Sequence, residues 1–135
     1  MTTSTLRKLL VVDDEPDIQI VASLALEEVA GFQVAICNSG QEALELAPVF
    51  LPDLILLDVM MPKMDGLQTL RAMRAHPSLA GIPVVFLTAK VQYEEVSSYK
   101  AQGAIDVIPK PFDPMELGNQ VRSVWEVFQA ATKVR

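Results

Sequence analysis

Leu54-Ile55-Leu56-Leu57-Asp58-Val59-Met60-Met61-Pro62-Lys63-Met64-Asp65-Gly66 is the stretch that decides the fold. Four consecutive apolar residues run straight into a carboxylate, with a proline and a glycine beyond it, which reads as a fully buried strand stopping at Asp58. In an open parallel sheet the loops leaving the strands converge at the carboxyl rim, outside the packed core, and ligands and chemistry gather there. Asp58 is placed on that rim.

The composition agrees with a compact domain. At 135 residues the chain suits one domain, 1–135, able to bury roughly two-thirds of its unfolded surface. Half of the residues are hydrophobic and 21% are charged, which excludes disorder. The apolar runs are far shorter than the roughly 20 residues needed to span a bilayer. The start, Met1-Thr2-Thr3-Ser4-Thr5-Leu6-Arg7-Lys8, has no apolar region of the signal-peptide kind, so a cytoplasmic protein without a membrane partner is expected. A net charge of -6 with scattered basic residues argues against a nucleic-acid surface, since phosphate binding needs clustered Lys and Arg. The single cysteine, Cys37, lies in an apolar strand-like run, where a buried, inert thiol is expected.

Outward from the central strand, five short apolar runs alternate with helix-like segments, the rhythm of repeated βαβ units. The first strand, Lys8 to Val12, ends in Asp13-Asp14-Glu15-Pro16, after which Ile18, Val21, Ala22, Ala25 and Val29 recur at helical spacing until Gly31. Phe32 to Cys37 reads as the second strand. Ser39 and Glu42 form a capping-box pattern opening a short helix that Pro48 or Pro52 must end. Leu67, Leu70, Met73 and Arg74 continue a third helix, stopped near His76-Pro77. Pro83 to Leu87 is the fourth strand and delivers Thr88 to the same rim as Asp58. A more polar helix spans Val91 to Gln102, and Gly103 ends it. Ile105 to Pro109 is the fifth strand, placed at a sheet edge because proline cannot donate to a ladder. Asp113, Pro114 and Glu116 supply N-cap, N1 and N3 of a last helix whose Leu117, Val121, Val124, Trp125 and Phe128 form one core-facing stripe. The fold class expected is α/β: a flavodoxin-like, doubly wound, five-stranded parallel sheet in the order 2-1-3-4-5 with five helices.

Right-handed crossovers in that order make the first and third strands neighbours, so Asp13 and Asp14 face Asp58. Three carboxylates so close cannot all ionise near neutral pH without a compensating cation. A divalent metal is the natural partner; oxygen ligands favour Mg²⁺, with Mn²⁺ as a substitute. Each residue also has a plainer reading. Asp13 or Asp14 alone suits a helix N-cap, Asp58 an ordinary strand end, Thr88 a strand former and Lys110 a solvated charge. Their joint placement at the carboxyl ends of the first, third, fourth and fifth strands favours a functional site.

That combination resembles the receiver domain of bacterial two-component response regulators over nearly the whole chain. Asp13-Asp14, then Asp58 followed by Val59-Met60-Met61-Pro62 and Asp65-Gly66, then Thr88-Ala89, then Lys110-Pro111-Phe112 stand in the family's order and spacing. The resemblance implies that Asp58 accepts a phosphoryl group from a sensor histidine kinase or a histidine phosphotransfer protein. It implies that Asp14 binds Mg²⁺ directly, that Asp13 holds a metal-bound water and that the Met60 carbonyl completes the set. Lys110 would pair with phosphoryl oxygens, and Thr88 would donate a hydrogen bond to one of them. The Lys110-Pro111 bond is a candidate cis bond whose isomer the sequence leaves open.

One position departs from the family. Many receivers carry an aromatic residue three positions before the lysine; here Val107 stands there, short and stiff at χ1, so an aromatic rotamer switch cannot operate. Movement of the Thr88 loop and the fourth helix is expected instead, with Tyr93 or Tyr99 as substitutes, although both also read as ordinary surface aromatics. His76, the sole histidine, is expected far from the rim and not as a phosphodonor. Met60, Met61 and Met64 read as loop packing over the core edge, with an adaptable partner surface as the alternative.

Three rival functions fit less well. A hydrolase forming an aspartyl-phosphate would carry its nucleophile after the first strand with a second acid two residues on. A flavin module would need a phosphate loop rich in hydroxyls and amides where Asp13-Asp14-Glu15 stands. A phosphorylation-independent docking domain would not need the full acid, threonine and lysine set. No output segment is expected after the last helix, with 129–135 as a short tail, unless the receiver is excised from a longer chain. The expectation is a non-enzymatic phosphoacceptor that signals to a protein target over the fourth helix, fifth strand and fifth helix.

Overall fold

A computed structural model describes residues 5–133; Met1 to Ser4 of the N-terminal reading, and Val134 and Arg135 of the C-terminal tail, lie outside them. The strands are β1 (Lys8–Val12), β2 (Gln33–Cys37), β3 (Leu54–Asp58), β4 (Val84–Thr88) and β5 (Asp106–Pro109). The helices are α1 (Pro16–Ser23, continued by a π-helical turn, Leu24–Val29), α2 (Gly40–Phe50), α3 (Gly66–Ala75), α4 (Tyr93–Ala101) and α5 (Leu117–Lys133). All strand pairs are parallel and the sheet order is β2-β1-β3-β4-β5, the doubly wound flavodoxin-like arrangement expected.

Strict alternation along the buried strands sorts the core into two layers. Leu10, Val12, Ile55, Leu57, Val84 and Phe86 face α2, α3 and α4, meeting Ala43, Ala47, Leu70, Met73 and Tyr99. Leu9, Val11, Leu54, Leu56, Val85 and Leu87 face α1 and α5, meeting Ala22, Ala25, Leu26, Leu117, Val121 and Trp125. Every residue of β3 and β4 is buried, because helices cover both faces. Pro109 sits on edge strand β5, opposite Thr88, where its missing N–H costs no internal ladder bond. Cys37 is buried and free. No helix among the described residues is long and apolar enough to cross a membrane.

Of the two prolines expected to end the second helix, Pro52 is the one that does, and four local readings need correction. The helix opened by Ser39 passes through Pro48 and ends at Leu51, which takes a left-handed φ of 51° just before Pro52. Pro48 is tolerated inside it because burial of Ala43 and Ala47 outweighs one lost backbone bond. Ser39 accepts from the Glu42 N–H as expected, but the Glu42 carboxylate accepts from the Asn38 N–H, one residue further back than a capping box requires. The first helix widens: the Ala30 N–H donates to the Ala25 carbonyl, five residues back, which turns Val29 out to solvent and leaves Leu26 fully buried. Asp113 caps a turn rather than α5 itself, accepting from the Met115 N–H before regular helix begins at Leu117, and residues 129–133 extend α5 rather than forming a tail.

Gly66 fixes how closely α3 follows Asp58. A Cβ there would stand 2.5 Å from the Asp58 carbonyl oxygen and 2.7 Å from the Val59 Cα, both backbone atoms, whereas one at Gly81 would meet nothing. Gly66→Ala should therefore destabilise the protein by about 1–3 kcal/mol, and Gly81→Ala should stay within about 0.5 kcal/mol of wild type. Urea denaturation of the two variants checks this; equal midpoints would contradict it.

Candidate functional site

The register of the sheet assembles the site. Val12 pairs with Leu57, so Asp13 leaves β1 beside Asp58 at the end of β3; Asp58 pairs with Leu87, and Thr88 with Pro109. Asp13 donates its N–H to the Cys37 carbonyl, and Lys110 donates its N–H to the Thr88 carbonyl, which ties the emerging loops to the rim. Asp13, Asp14 and Asp58 each offer a carboxylate oxygen within 4.8 Å of the others. Neither Asp13 nor Asp14 caps a helix, because Glu15 is the N-cap of α1; the Asp13 Oδ1 instead accepts from the Glu15 N–H.

Lys110 is drawn into the middle of these acids. Its Nζ lies 2.8 Å from Asp13 Oδ2, 3.2 Å from Asp58 Oδ1 and 3.0 Å from Glu15 Oε1. The Lys110-Pro111 peptide bond, left open by the sequence, is cis. Asp58 Oδ1 also accepts from the Met60 N–H at 3.1 Å. Asp58 Oδ2 is buried and has no hydrogen-bond partner. A buried carboxylate oxygen left without a partner is costly unless something fills the gap. Three hard oxygen donors converging beside it fit a Mg²⁺-sized cation.

Electrostatics follow from burial. Asp13 is 0% exposed and Asp58 2%. Burial, reinforced by the Asp13 charge, pushes the Asp58 carboxyl up to about 6 against the pull of Lys110 and the Met60 N–H. Burial likewise raises Asp13, against Lys110 and the Glu15 N–H. Burial works against the Lys110 charge, but its hydrogen bonds to Asp13 and Glu15 and the charges of Asp13 and Asp58 outweigh it and hold the ammonium above the ordinary lysine value. The lysine is thus a permanent cation among acids whose ionisation is penalised.

Thr88 is nearly buried, and its Oγ1 accepts from the Lys90 N–H at 3.0 Å, which leaves its own O–H to donate. Met60 lies in the loop after β3 with its side chain exposed, while Met61 joins the core and Met64 is half-buried. His76 caps the far end of α3, where its Nδ1 accepts from the Ser78 N–H. Tyr99 is not a surface residue: it is buried with its ring edge-on to Phe86, centroids 5.3 Å apart. Tyr93 is exposed at the first turn of α4. Sequence reasoning missed the Glu15 carboxylate as a partner of Lys110; the only available signal was a third acid directly after Asp13-Asp14.

Residues 9–122 match the family model described as the response regulator receiver domain. The DNA-binding response regulator MtrA of Mycolicibacterium smegmatis is 38% identical over 117 residues, covering 87% of this chain and 50% of that protein. The alkaline phosphatase synthesis transcriptional regulatory protein PhoP of Bacillus subtilis is 38% identical over 119 residues, covering 87% of this chain and 48% of that protein. The chain therefore spans about half the length of these relatives. Among solved structures, the chemotaxis response regulator CheY4 of Vibrio cholerae superposes with a TM-score of 0.82 at 34% identity, covering 89% of this chain and 99% of that one.

The site's electrostatics have a measurable consequence in metal-free protein. The folded-state value of Asp58, about 6, lies above its ordinary 3.8, so this group's stabilising contribution is fully present below about pH 4 and is lost as pH rises through 6. Ionised Asp58 then costs on the order of 3 kcal/mol. Asp58→Asn should accordingly be the more stable protein at pH 8 in EDTA, by on the order of 1–3 kcal/mol, and the gap should close toward pH 4. A gap independent of pH in chemical denaturation would refute this.

Proposed function

This chain belongs to the response regulator receiver domain family, and on that premise we propose that Asp58 is the phosphoacceptor of a two-component relay. Receivers of this family are phosphoacceptor signalling domains rather than classical enzymes. The donor proposed is a phosphohistidine on a sensor histidine kinase or a histidine phosphotransfer protein in the cytoplasm. A carboxylate oxygen of Asp58 forms the new O–P bond as the P–N bond of the phosphohistidine breaks, and that bond's electron pair stays on the imidazole nitrogen.

The observation that carries this reading is the Asp58 carboxylate itself: buried at the rim of β3, with Oδ2 unpartnered, within 4.8 Å of two further acids and 3.2 Å from Lys110. Phosphoryl transfer asks a protein mainly for positioning and for neutralisation of the equatorial oxygens. Asp14 and Asp58 would hold Mg²⁺ directly, Asp13 through a water, and the Met60 carbonyl would complete the protein's share; Mn²⁺ would substitute. The bound cation supplies charge neutralisation for the phosphoryl oxygens. Lys110 contributes its ammonium to the same oxygens, and the Thr88 hydroxyl donates to one of them once the phosphoryl group is in place. New acceptor oxygens at Asp58 give the Thr88 loop a reason to move.

The output proposed is a protein target bound over α4, β5 and α5. Val107 cannot act as an aromatic rotor, and Tyr99 is held in the core against Phe86, so the signal is carried by the Thr88 loop and α4 moving together. The DNA-binding role of MtrA belongs to that protein.

Incubation with Mg²⁺ and a small phosphodonor such as acetyl phosphate should add the mass of one phosphoryl group; Asp58→Asn or excess EDTA should abolish it. An undiminished mass gain in the Asn variant would overturn the assignment. In amide NMR spectra, Mg²⁺ with beryllofluoride, a phosphoryl mimic, should produce its largest remote shifts across residues 88–102; unchanged resonances there would rule out the Thr88-loop route.

A further inference from the structure

We propose that Glu15 is the displaceable partner of Lys110: its carboxylate holds the ammonium in the resting site and yields to the phosphoryl group, so it governs how readily Asp58 is loaded. This assignment rests on the phosphoacceptor reading above. A lysine ammonium has three donors; here it lies within ion-pair distance of Asp13 Oδ2 at 2.8 Å and Asp58 Oδ1 at 3.2 Å, and it donates a hydrogen bond to Glu15 Oε1 at 3.0 Å. A phosphoryl oxygen competes with these acids for the Lys110 ammonium, and most directly with the hydrogen-bonded Glu15.

The three are unequal in what release would cost. Asp58 carries the incoming group and cannot leave. Asp13 is wholly buried, and separating it from Lys110 takes a buried carboxylate away from its nearest cationic side chain at 2.8 Å. The Glu15 side chain is 59% exposed while that of Lys110 is 12% exposed, so water replaces the ammonium around Glu15 at little cost. Nor does the Glu15 carboxylate serve the helix it caps, since it makes no side-chain cap bond. Its backbone stays anchored through the N–H donated to Asp13 Oδ1 at 2.9 Å. The result is a residue tethered by its backbone whose exposed carboxylate reaches Lys110, adding a fourth negative charge beside the acid trio. Glu15 therefore opposes loading twice, by occupying a donor of Lys110 and by repelling an incoming anion. It is a positioning residue acting through Lys110.

The test uses the whole chain as wild type, Glu15→Gln and Glu15→Ala, each titrated with beryllofluoride in the presence of Mg²⁺ and followed by amide NMR. Both variants should reach half-saturation at about three- to fivefold lower beryllofluoride concentration than wild type, the range expected for removing an exposed ion pair. That advantage should shrink as salt is raised toward 1 M, because salt screens an exposed charge. In metal-free protein, the ¹⁵N-detected Lys110 ammonium protons should exchange with water faster in both variants. Half-saturation equal to or weaker than wild type, or an advantage insensitive to salt, would overturn the Glu15 assignment while leaving Asp58 as phosphoacceptor. Wild type that neither binds beryllofluoride with Mg²⁺ nor gains phosphoryl mass would overturn both.

Discussion

The burial of Asp13 and Asp58 beside a single ammonium is the constraint on which the rest of the site depends. Two carboxylates almost wholly removed from water, a third within 4.8 Å and a fourth reaching Lys110 from Glu15 amount to a surplus of negative charge that one lysine does not balance. Groups held in such an uncomfortable state are unusual in structural ion pairs and common where chemistry occurs. The discomfort is also what makes the site responsive: any cation or transferable group that changes its charge balance shifts the preferred positions of the loops around it.

The sheet supplies the force that keeps the acids together. β1, β3 and β4 are buried on both faces, and each apolar side chain removed from water contributes roughly 1.5–3 kcal/mol. Summed over two core layers, that term holds the strand ends in register against mutual repulsion. Gly66 and the Asp65–Gln68 capping box then bring α3 directly against the backbone of Asp58, so Asp58 rests on a rigid floor, Thr88 closes β4, and Lys110 and Glu15 project from loops. Rigid scaffold and adjustable rim are thus divided between strands and loops, as expected for a functional site.

The relatives MtrA and PhoP are about twice as long as this chain, while CheY4 is matched along nearly its full length. What these chains share with this one is the receiver domain itself. Within this chain, Val107 offers no aromatic ring beside the site, and Tyr99 is held in the core against Phe86.

Sequence alone determined the strand rhythm, the strand order, the edge position of β5 and the meeting of Asp13, Asp14 and Asp58, because these follow from patterns that repeat every two or every three to four residues and from handedness rules that apply to any parallel sheet. Tertiary structure alone decided the matters that depend on neighbours distant in the chain. Pro48 stays inside α2 because packing outweighs one missing bond; α1 widens where its Ala30 carbonyl accepts from Arg122 of α5; Tyr99 turns inward onto Phe86. The partnership of Glu15 with Lys110 joins residues 95 positions apart. No local pattern encodes which of several nearby acids an ammonium will choose, since that choice depends on distances and exposure that exist only once the chain has closed on itself.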